Sequence, residues 1–113
     1  FKGKKLFERN RILKESILIE KAGVFSIVLE CVESSLSKEI TKTINIPTIG
    51  IGASVNCDGQ VLVTDDLIGL NHIKVRFVKK FGNIRKEINN AVATYRKEII
   101  KSKFQKKKTL LLN

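Results

Sequence analysis

One nearly continuous apolar run, Val24-Phe25-Ser26-Ile27-Val28-Leu29, constrains what this chain can fold into more than any other feature. The run is rich in β-branched residues and short enough for a strand, and it is too uniformly apolar for a strand with one face in water. It is therefore expected to form a buried strand of a parallel sheet.

Helical spacing occurs on both sides of this run. Ahead of it, over residues 6–22, apolar residues recur mostly at intervals of one, three and four, with charges between them. This spacing predicts an amphipathic helix that ends at Gly23. Behind the run, Ser34 and Ser35 offer N-caps for a shorter helix that extends to about Thr43.

Further apolar runs continue the same pattern. Pro47 stands at the start of a second buried strand at 48–52, where its missing N–H falls at the edge of the ladder. A third short apolar run covers 61–63, and two more helices are expected, one around 77–81 and a longer one at about 84–100. The order of helices and strands predicts an α/β fold.

The length of the chain limits how much of such a fold it can hold. Its 113 residues suffice for one modest core, whereas a closed barrel of alternating strands and helices takes about 250 residues. We expect residues 1–101 to be β/α units of one barrel domain whose other strands lie upstream, and residues 102–113 to be a basic, disordered tail. The start at Phe1, which is not Met, also favours a fragment.

The sequence contains neither a membrane span nor a secretory signal. No stretch approaches the about 20 consecutive apolar residues of a spanning helix, and the N-terminus lacks the charged, apolar and small-residue regions of a signal peptide. Cys31 and Cys57 lie in no Cys-x-x-Cys or His-rich spacing and are expected to be reduced bystanders. These features predict a cytoplasmic protein without a membrane partner.

The net charge of +11 suggests a nucleic-acid partner, but its distribution does not favour one. Residues 1–22 carry a net +4, residues 23–70 a net −4 and residues 71–113 a net +11. Lysines outnumber arginines seventeen to five, whereas phosphate clamps and base readers favour Arg. The basic helices also lack interleaved aromatic residues. A small module that binds nucleic acid or another polyanion is kept as the alternative of a different class.

Glu30 is the most informative single residue, because it ends the first apolar strand, where an ionised carboxylate is costly to bury. In parallel α/β enzymes the catalytic groups lie at the carboxyl ends of the strands, where a desolvated carboxyl group can act as a general base. The alternative is a Glu that has left the strand for solvent, ahead of the polar stretch 33–35.

Gly50 and Gly52 alternate along the second strand and are expected to face the same side. Glycine weakens a strand unless another group must approach the backbone closely. The pair therefore marks either a wall beside a substrate or tight packing in a crowded interior. The sequence has no Gly-rich phosphate loop of the recognised kinds.

The remaining polar motifs are explained by structure alone. Asp58-Gly59 indicates a turn, and Asp65-Asp66 indicates the start of a helix. Two adjacent acids on a loop specify little as a Mg²⁺ site. His72 is the only histidine and has no identifiable Ser or Cys partner, so it is assigned no role.

Three motifs occur in order along the chain: AGVFSIVLECV at 22–32, IPTIGIGA at 46–53, and DGQVLV at 58–63 followed by Asp66. Together they resemble the ketopantoate hydroxymethyltransferase family. The resemblance is close over about 20–70, looser to about 101, and absent from the tail.

This resemblance implies the C-terminal portion of a (β/α)8 TIM barrel of the phosphoenolpyruvate/pyruvate type. It implies a Mg²⁺-dependent transfer of a hydroxymethyl group from 5,10-methylenetetrahydrofolate to 3-methyl-2-oxobutanoate, giving 2-dehydropantoate for pantothenate biosynthesis. Glu30 matches the family's catalytic proton acceptor, and Gly50 and Gly52 would be substrate-proximal at the same barrel mouth. A homo-oligomer is implied for the full-length enzyme.

The chain also departs from the family pattern. Glu33 and Val75 stand where the family often has Pro, Ser54 where it often has Gly, and Asp65 where a His usually precedes the Asp. The family's Mg²⁺-binding acids and keto-acid-binding groups precede this segment, so no metal ligand is expected here. We therefore expect a fragment that is inactive alone, or a non-catalytic barrel remnant kept for subunit contacts.

Overall fold

The computed structural model describes residues 1–71 and 79–102, which belong to two units, residues 1–62 and residues from 63 onward. The helices and strands, in chain order, are α1 (Leu6–Lys21), β1 (Ile27–Glu30), α2 (Ser34–Thr43), β2 (Thr48–Ile51), β3 (Gly59–Gln60), α3 (Thr64–Leu67) and α4 (Ile84–Ile100).

The three strands form one parallel sheet in the order β1-β2-β3. The ladder between β1 and β2 runs from the pair Ile27 and Thr48 to the pair Glu30 and Ile51. The strand β3 continues the sheet beside β2, with Gly59 opposite Ile49. The chain combines helices with a parallel sheet, so the predicted α/β class is confirmed, although no helix lies between β2 and β3.

The strand bounds differ from the sequence prediction. Residues 24–26 lie outside β1, and Phe25 is 89% exposed, because the ladder starts only where Ile27 N–H donates to Pro47 O. The third strand precedes the apolar run at 61–63 and ends in a bond from Val61 N–H to Gly50 O. Hydrogen-bond partners set these bounds, and hydrophobic spacing does not reveal them.

Burial of β1 on both faces is not found within the described residues. Leu29 is buried at 4% exposure, whereas its neighbour Val28 is 59% exposed. Side chains alternate between the two faces of a strand, so only the Leu29 face is covered. The prediction of a fully buried strand is wrong within the first unit, because α1 and α2 cover one face of β1 and no other element of that unit covers the opposite face.

The first helix forms as predicted, from Leu6 to Lys21 with Ala22 as the C-cap. It ends because Gly23 adopts a φ of +97°, a conformation that glycine tolerates and that stops the helix. Its polar residues interleave with Ile12, Leu13 and Ile17, which pack on the core.

The second helix ends at Thr43 as predicted, but Glu33 is its N-cap in place of Ser34 or Ser35. The Glu33 carboxylate accepts a hydrogen bond from Leu36 N–H at 3.0 Å. The two serines lie inside the first turn, and the assignment of either as N-cap is wrong. Glu33 caps the helix because its backbone stays outside the helical region, with φ −55° and ψ 139°. Its side chain is also long enough to accept from Leu36 N–H.

The core of the first unit lies between the two helices and the Leu29 face of the sheet. Leu36 and Ile40 of α2 are fully buried, at 0% exposure. Complete burial of one such side chain contributes roughly 1.5–3 kcal/mol. The full buried cluster comprises Leu29, Val32, Leu36, Ile40, Ile44 and Cys57.

The second unit contains a short helix and a long one. Asp65 and Asp66 lie in the first turn of α3, as predicted, where their charge favours the amino end of a helix. Gly69 has a φ of +73°, and a Cβ added there would lie 2.3 Å from Gly82 O. The chain after α3 is thus packed directly against the turn that precedes α4.

The long helix α4 has the predicted bounds, and Asn83 caps it by accepting from Lys86 N–H at 3.4 Å. The helix predicted at 77–81 lies partly outside the described residues, and residues 79–81 are not helical. Val75, His72 and the tail from 103 onward also lie outside them.

Candidate active site at the carboxyl end of β1

Glu30 is the last residue of β1, at the carboxyl end of the parallel strand as predicted. Because side chains alternate, it lies on the face opposite to Leu29 and on the same face as Val28 and Ile51. That face is the one that α1 and α2 leave open. Glu30 is exposed in the described part of the chain, so the expected burial of this residue is not found there.

A cleft of about 410 Å³ runs beside β1 toward Glu30. Residues of β1 form one wall, and residues of α1, among them Glu8 and Arg11, form another. In the described sheet β1 is an edge strand that pairs only with β2. The cleft therefore follows a strand edge whose hydrogen-bonding groups face away from the sheet.

The backbone turns sharply directly after Glu30. Cys31 has a φ of +53°, which is uncommon for a residue with a Cβ. Two hydrogen bonds hold it: Cys31 N–H donates to Ile51 O at 3.0 Å, and Lys2 N–H donates to Cys31 O at 2.8 Å. The turn is thus attached to β2 on one side and to the segment before α1 on the other.

Lys2 and Val32 form a parallel bridge just beyond the end of β1. The second bond of this bridge runs from Glu33 N–H to Lys2 O, at 2.7 Å. The residues before α1 therefore lie alongside the carboxyl end of β1 on its free edge.

The Glu33 carboxylate is the most strongly perturbed acid among the described residues. Ser35 donates to it at 2.6 Å through its hydroxyl, Leu36 N–H donates at 3.0 Å, and Arg9 Nη1 lies 3.4 Å from the same oxygen. These hydrogen bonds, with the one from Ser35 first and the Arg9 charge last, lower the pKa of Glu33 to about 2. The carboxylate is ionised at any physiological pH.

Arg9 joins the two helices at this end of the sheet. From α1 it reaches Glu33 and also Glu39 of α2, and its side chain is 26% exposed. Sequence reasoning gave Arg9 no role, because its partners are 24 and 30 residues away and local spacing carries no signal for them.

Gly50 lies on the Leu29 face of the sheet, opposite to the face of Glu30. It is buried, and a Cβ there would lie 2.9 Å from Cys57 Sγ and 3.3 Å from Gln60 Oε1. Close packing accounts for this glycine. Gly52 follows β2 with a φ of +61°, in the turn at the carboxyl end of the sheet. A place for either glycine beside a substrate stays a prediction.

Asp58 does more than form the predicted turn. Its carboxylate accepts from Thr48 N–H at 2.9 Å, at the amino end of β2. The site around Glu30 is at the other end of the strands, so Asp58 and Thr48 belong to the frame of the sheet. An Asp-Gly pair shortly after a strand is the only sequence signal for this contact.

Neither a metal-binding cluster nor a disulfide is found among the described residues. The structure groups no three His, Cys, Asp or Glu side chains that could hold a metal ion within residues 1–71 and 79–102. Cys31 and Cys57 are both free cysteines.

Across those same ranges, none of the helices has the length and apolar character needed to cross a bilayer.

Comparison with known proteins identifies relatives along almost the whole chain. Residues 1–107 match the family model described as ketopantoate hydroxymethyltransferase. A 3-methyl-2-oxobutanoate hydroxymethyltransferase of Pelagibacter ubique is 69% identical over 108 residues, which are 96% of this chain and 42% of the relative. The enzyme of the same name from Phenylobacterium zucineum is 48% identical over 103 residues, covering 91% of this chain and 38% of its own length.

A third relative with this name, from Thermosipho melanesiensis, is 47% identical over 107 residues, which cover 94% of this chain and 40% of the relative. The chain thus spans about two fifths of the length of the curated relatives that it matches.

Proposed function

Because this chain belongs to the ketopantoate hydroxymethyltransferase family, we propose that it supplies the C-terminal β/α units of a (β/α)8 barrel that transfers a hydroxymethyl group to 3-methyl-2-oxobutanoate. The observation that carries the proposal is the place of Glu30, at the carboxyl end of a parallel strand and on the sheet face that the helices leave open. Catalytic residues of such barrels lie at this end of the strands.

The free edge of β1 supports the barrel assignment. In a (β/α)8 barrel, the strand that precedes a helix pairs in parallel with the strand that follows it. Lys2 lies just before α1 and already makes one parallel bridge with Val32 beyond β1. A strand upstream of Lys2 would continue this ladder along β1 and occupy the adjoining cleft.

The open face supports the same assignment. The apolar side chain of Val28 is 59% exposed beside Glu30. A closed barrel would turn this face inward, where it would contact the inward side chains of other strands. Glu30 would then stand at the mouth of the barrel with an apolar interior below it.

Glu30 is proposed as the base that prepares the keto acid for bond formation. Its carboxylate takes the proton from C3 of 3-methyl-2-oxobutanoate, the carbon next to the ketone, and the C–H electron pair becomes the enolate. Water cleaves the two carbon–nitrogen bonds of the one-carbon unit of 5,10-methylenetetrahydrofolate. Its two hydrogens pass to the nitrogens of the departing tetrahydrofolate, and its oxygen stays on the carbon as formaldehyde. The enolate carbon then bonds to that carbon, and the formaldehyde oxygen takes the proton held by Glu30 and becomes the new hydroxyl group.

The co-substrate and Mg²⁺ are proposed from the family resemblance alone. A divalent metal would stabilise the negative oxygen of the enolate. The described residues offer no cluster of ligands for it, so no step is assigned to a metal here. Gly52 is proposed as substrate-proximal because it directly follows β2, beside the carboxyl end of β1. Gly50 packs against Cys57 on the opposite face of the sheet, so a place for it near the substrate is proposed from the family resemblance alone.

The test is isotope exchange in a complete barrel. The matching segment of the Pelagibacter ubique relative is replaced by this chain, and loss of the C3 proton of 3-methyl-2-oxobutanoate in D2O is followed by NMR. Glu30→Gln should slow the exchange by at least about 100-fold, the usual contribution of a general base. Glu87→Gln, which removes an exposed carboxylate in the first turn of α4, is the control.

Unaltered exchange in Glu30→Gln would remove Glu30 from the mechanism. The chain of 113 residues, assayed by itself, should show no transfer. Transfer at the rate of the complete barrel would show that the missing part of the fold is not required.

A further inference from the structure

We infer that Glu33 is a positioning residue for Glu30: it fixes the turn that follows the proposed base, through contacts with three separate elements. The inference rests on the proposed role of Glu30. It assigns Glu33 no contact with substrate.

The turn needs fixing because its backbone is not in a relaxed conformation. Cys31 is left-handed, with a φ of +53°, and residues with a Cβ avoid this region unless their surroundings impose it. Cys31 directly follows Glu30, so rotation of the Cys31 backbone would reorient the end of β1. The N–H of Cys31 is held by Ile51 O, on the β2 side.

The other side of the turn depends on the segment before α1. Lys2 N–H donates to Cys31 O, and Lys2 O in turn accepts from Glu33 N–H at 2.7 Å. The backbone N–H and C=O of Lys2 thus connect the two ends of the turn from Cys31 to Glu33. Loss of either bond would free one end of the left-handed residue.

The side chain of Glu33 secures the same turn from α2 and α1. One carboxylate oxygen accepts from Leu36 N–H and from the Ser35 hydroxyl, both in the first turn of α2. The same oxygen lies 3.4 Å from Arg9 Nη1 of α1. Hydrogen bonds to an ionised acceptor are stronger than neutral ones, so this oxygen forms a charged junction between two helices and the turn.

Glu33 fixes the turn through groups that a proline at this position would lack. The φ of Glu33 is −55°, close to the value that a proline ring imposes. Proline would restrict the backbone at this position, but it has no N–H for Lys2 O and no carboxylate for Leu36 N–H. In this chain the rigidity of the turn comes from hydrogen bonds and charge.

The experiment uses the same complete barrel and two readouts. The first is the rate at which Cys31 reacts with a maleimide, since Cys31 is half-buried in the turn whereas Cys57 is buried in the core. The second is the rate of C3 proton exchange of the keto acid, resolved into kcat and KM. Glu33→Ala should raise the labelling rate of Cys31 several-fold and lower kcat for exchange about tenfold with KM unchanged.

Two variants control for helix stability. Glu33→Gln keeps an oxygen acceptor for Leu36 N–H and should restore most of the exchange rate. Glu39→Ala removes the other Arg9 partner on α2 without touching the turn, and it should leave both readouts unchanged. An equal loss in Glu39→Ala and Glu33→Ala would show a general effect on the helix and would overturn the inference.

The outcomes separate this inference from the proposed function. An exchange rate that Glu30→Gln reduces but Glu33→Ala leaves unchanged would overturn the positioning role alone. An exchange rate that Glu30→Gln leaves unchanged would overturn the proposed role of Glu30, and with it this inference, whatever the labelling rate of Cys31.

Discussion

The Asp58 carboxylate accepts a hydrogen bond from Thr48 N–H at 2.9 Å, and the Thr48 hydroxyl accepts one from Asp58 N–H at 3.2 Å. Each of the two side chains therefore accepts from the backbone N–H of the other residue, and this pair of bonds joins the amino ends of β2 and β3. Thr41 Oγ1, from α2, lies 2.8 Å from the same hydroxyl. Thr48 is fully buried, so each of these bonds satisfies a group that water does not reach.

Removal of the Asp58 carboxylate should weaken the sheet. Asp58→Ala leaves the buried Thr48 N–H without its partner, and we expect the free energy of unfolding to fall by about 1–3 kcal/mol. Asp58→Asn keeps an oxygen that can accept and should cost less. Urea unfolding followed by circular dichroism measures both. Equal losses in the two variants would show that the charge matters and the acceptor does not.

A methyl group at position 50 should strain the packing beneath the sheet. The added Cβ would meet Cys57 Sγ at 2.9 Å, so we expect Gly50→Ala to lower the free energy of unfolding by about 1–3 kcal/mol. Cys57→Ala removes the obstructing sulfur. In a double-mutant cycle the combined cost should be clearly smaller than the sum of the two single costs. Additive costs would contradict the contact.

Truncation of a core side chain should lower the stability of the first unit far more than truncation of an exposed side chain. Leu36 is fully buried between α1, α2 and the sheet, so Leu36→Ala should destabilise the first unit by about 2–5 kcal/mol. Leu18→Ala, at a 56% exposed position of α1, is the matched control and should change stability by less than about 0.5 kcal/mol. Thermal and chemical unfolding compare the two. An equal loss of stability in the two variants would show that the core does not lie around Leu36.

Glu33 should make stability depend on acid pH. Its pKa falls from the ordinary 4.5 to about 2 in the folded chain, so the unfolded chain takes up the proton first. The stabilisation is present in full above pH 4.5 and is lost as the pH falls from 4.5 toward 2. Glu33→Gln has no such group. The difference in unfolding free energy between the parent and this variant should therefore shrink over that interval.

NMR titration of the Glu33 carboxyl carbon measures the same quantity directly. A midpoint near 4.5 would show that the bonds from Ser35 and Leu36 do not persist in solution.

Much of the secondary structure follows from local sequence. The helices α1, α2 and α4 lie where the apolar spacing predicts them, because that spacing already defines one face of a helix. The class of the fold also follows, since the order of helical and strand-like segments along the chain already indicates an α/β arrangement. The position of Glu30 at the end of a strand is likewise a local property.

Contacts between distant residues could not be predicted in this way. The sequence suggested Ser34 or Ser35 as the cap of α2, whereas Glu33 occupies that place and is bonded to Arg9 and Lys2 far away along the chain. Alternation along the sequence predicts that Gly50 and Gly52 face the same side of a strand. In the structure Gly50 packs against Cys57 within β2, whereas Gly52 lies in the turn after β2 and has a left-handed backbone.

By itself, the sequence determined where the three longer helices form, the α/β class and the family of this chain, because periodicity and motif order are encoded in neighbouring residues. Only the tertiary structure decided the strand bounds, the register that separates Gly50 from Glu30, and the turn that Lys2 and Glu33 close around Cys31. Each of these depends on hydrogen bonds between segments that lie far apart in the chain. Such bonds exist only once the segments have packed together.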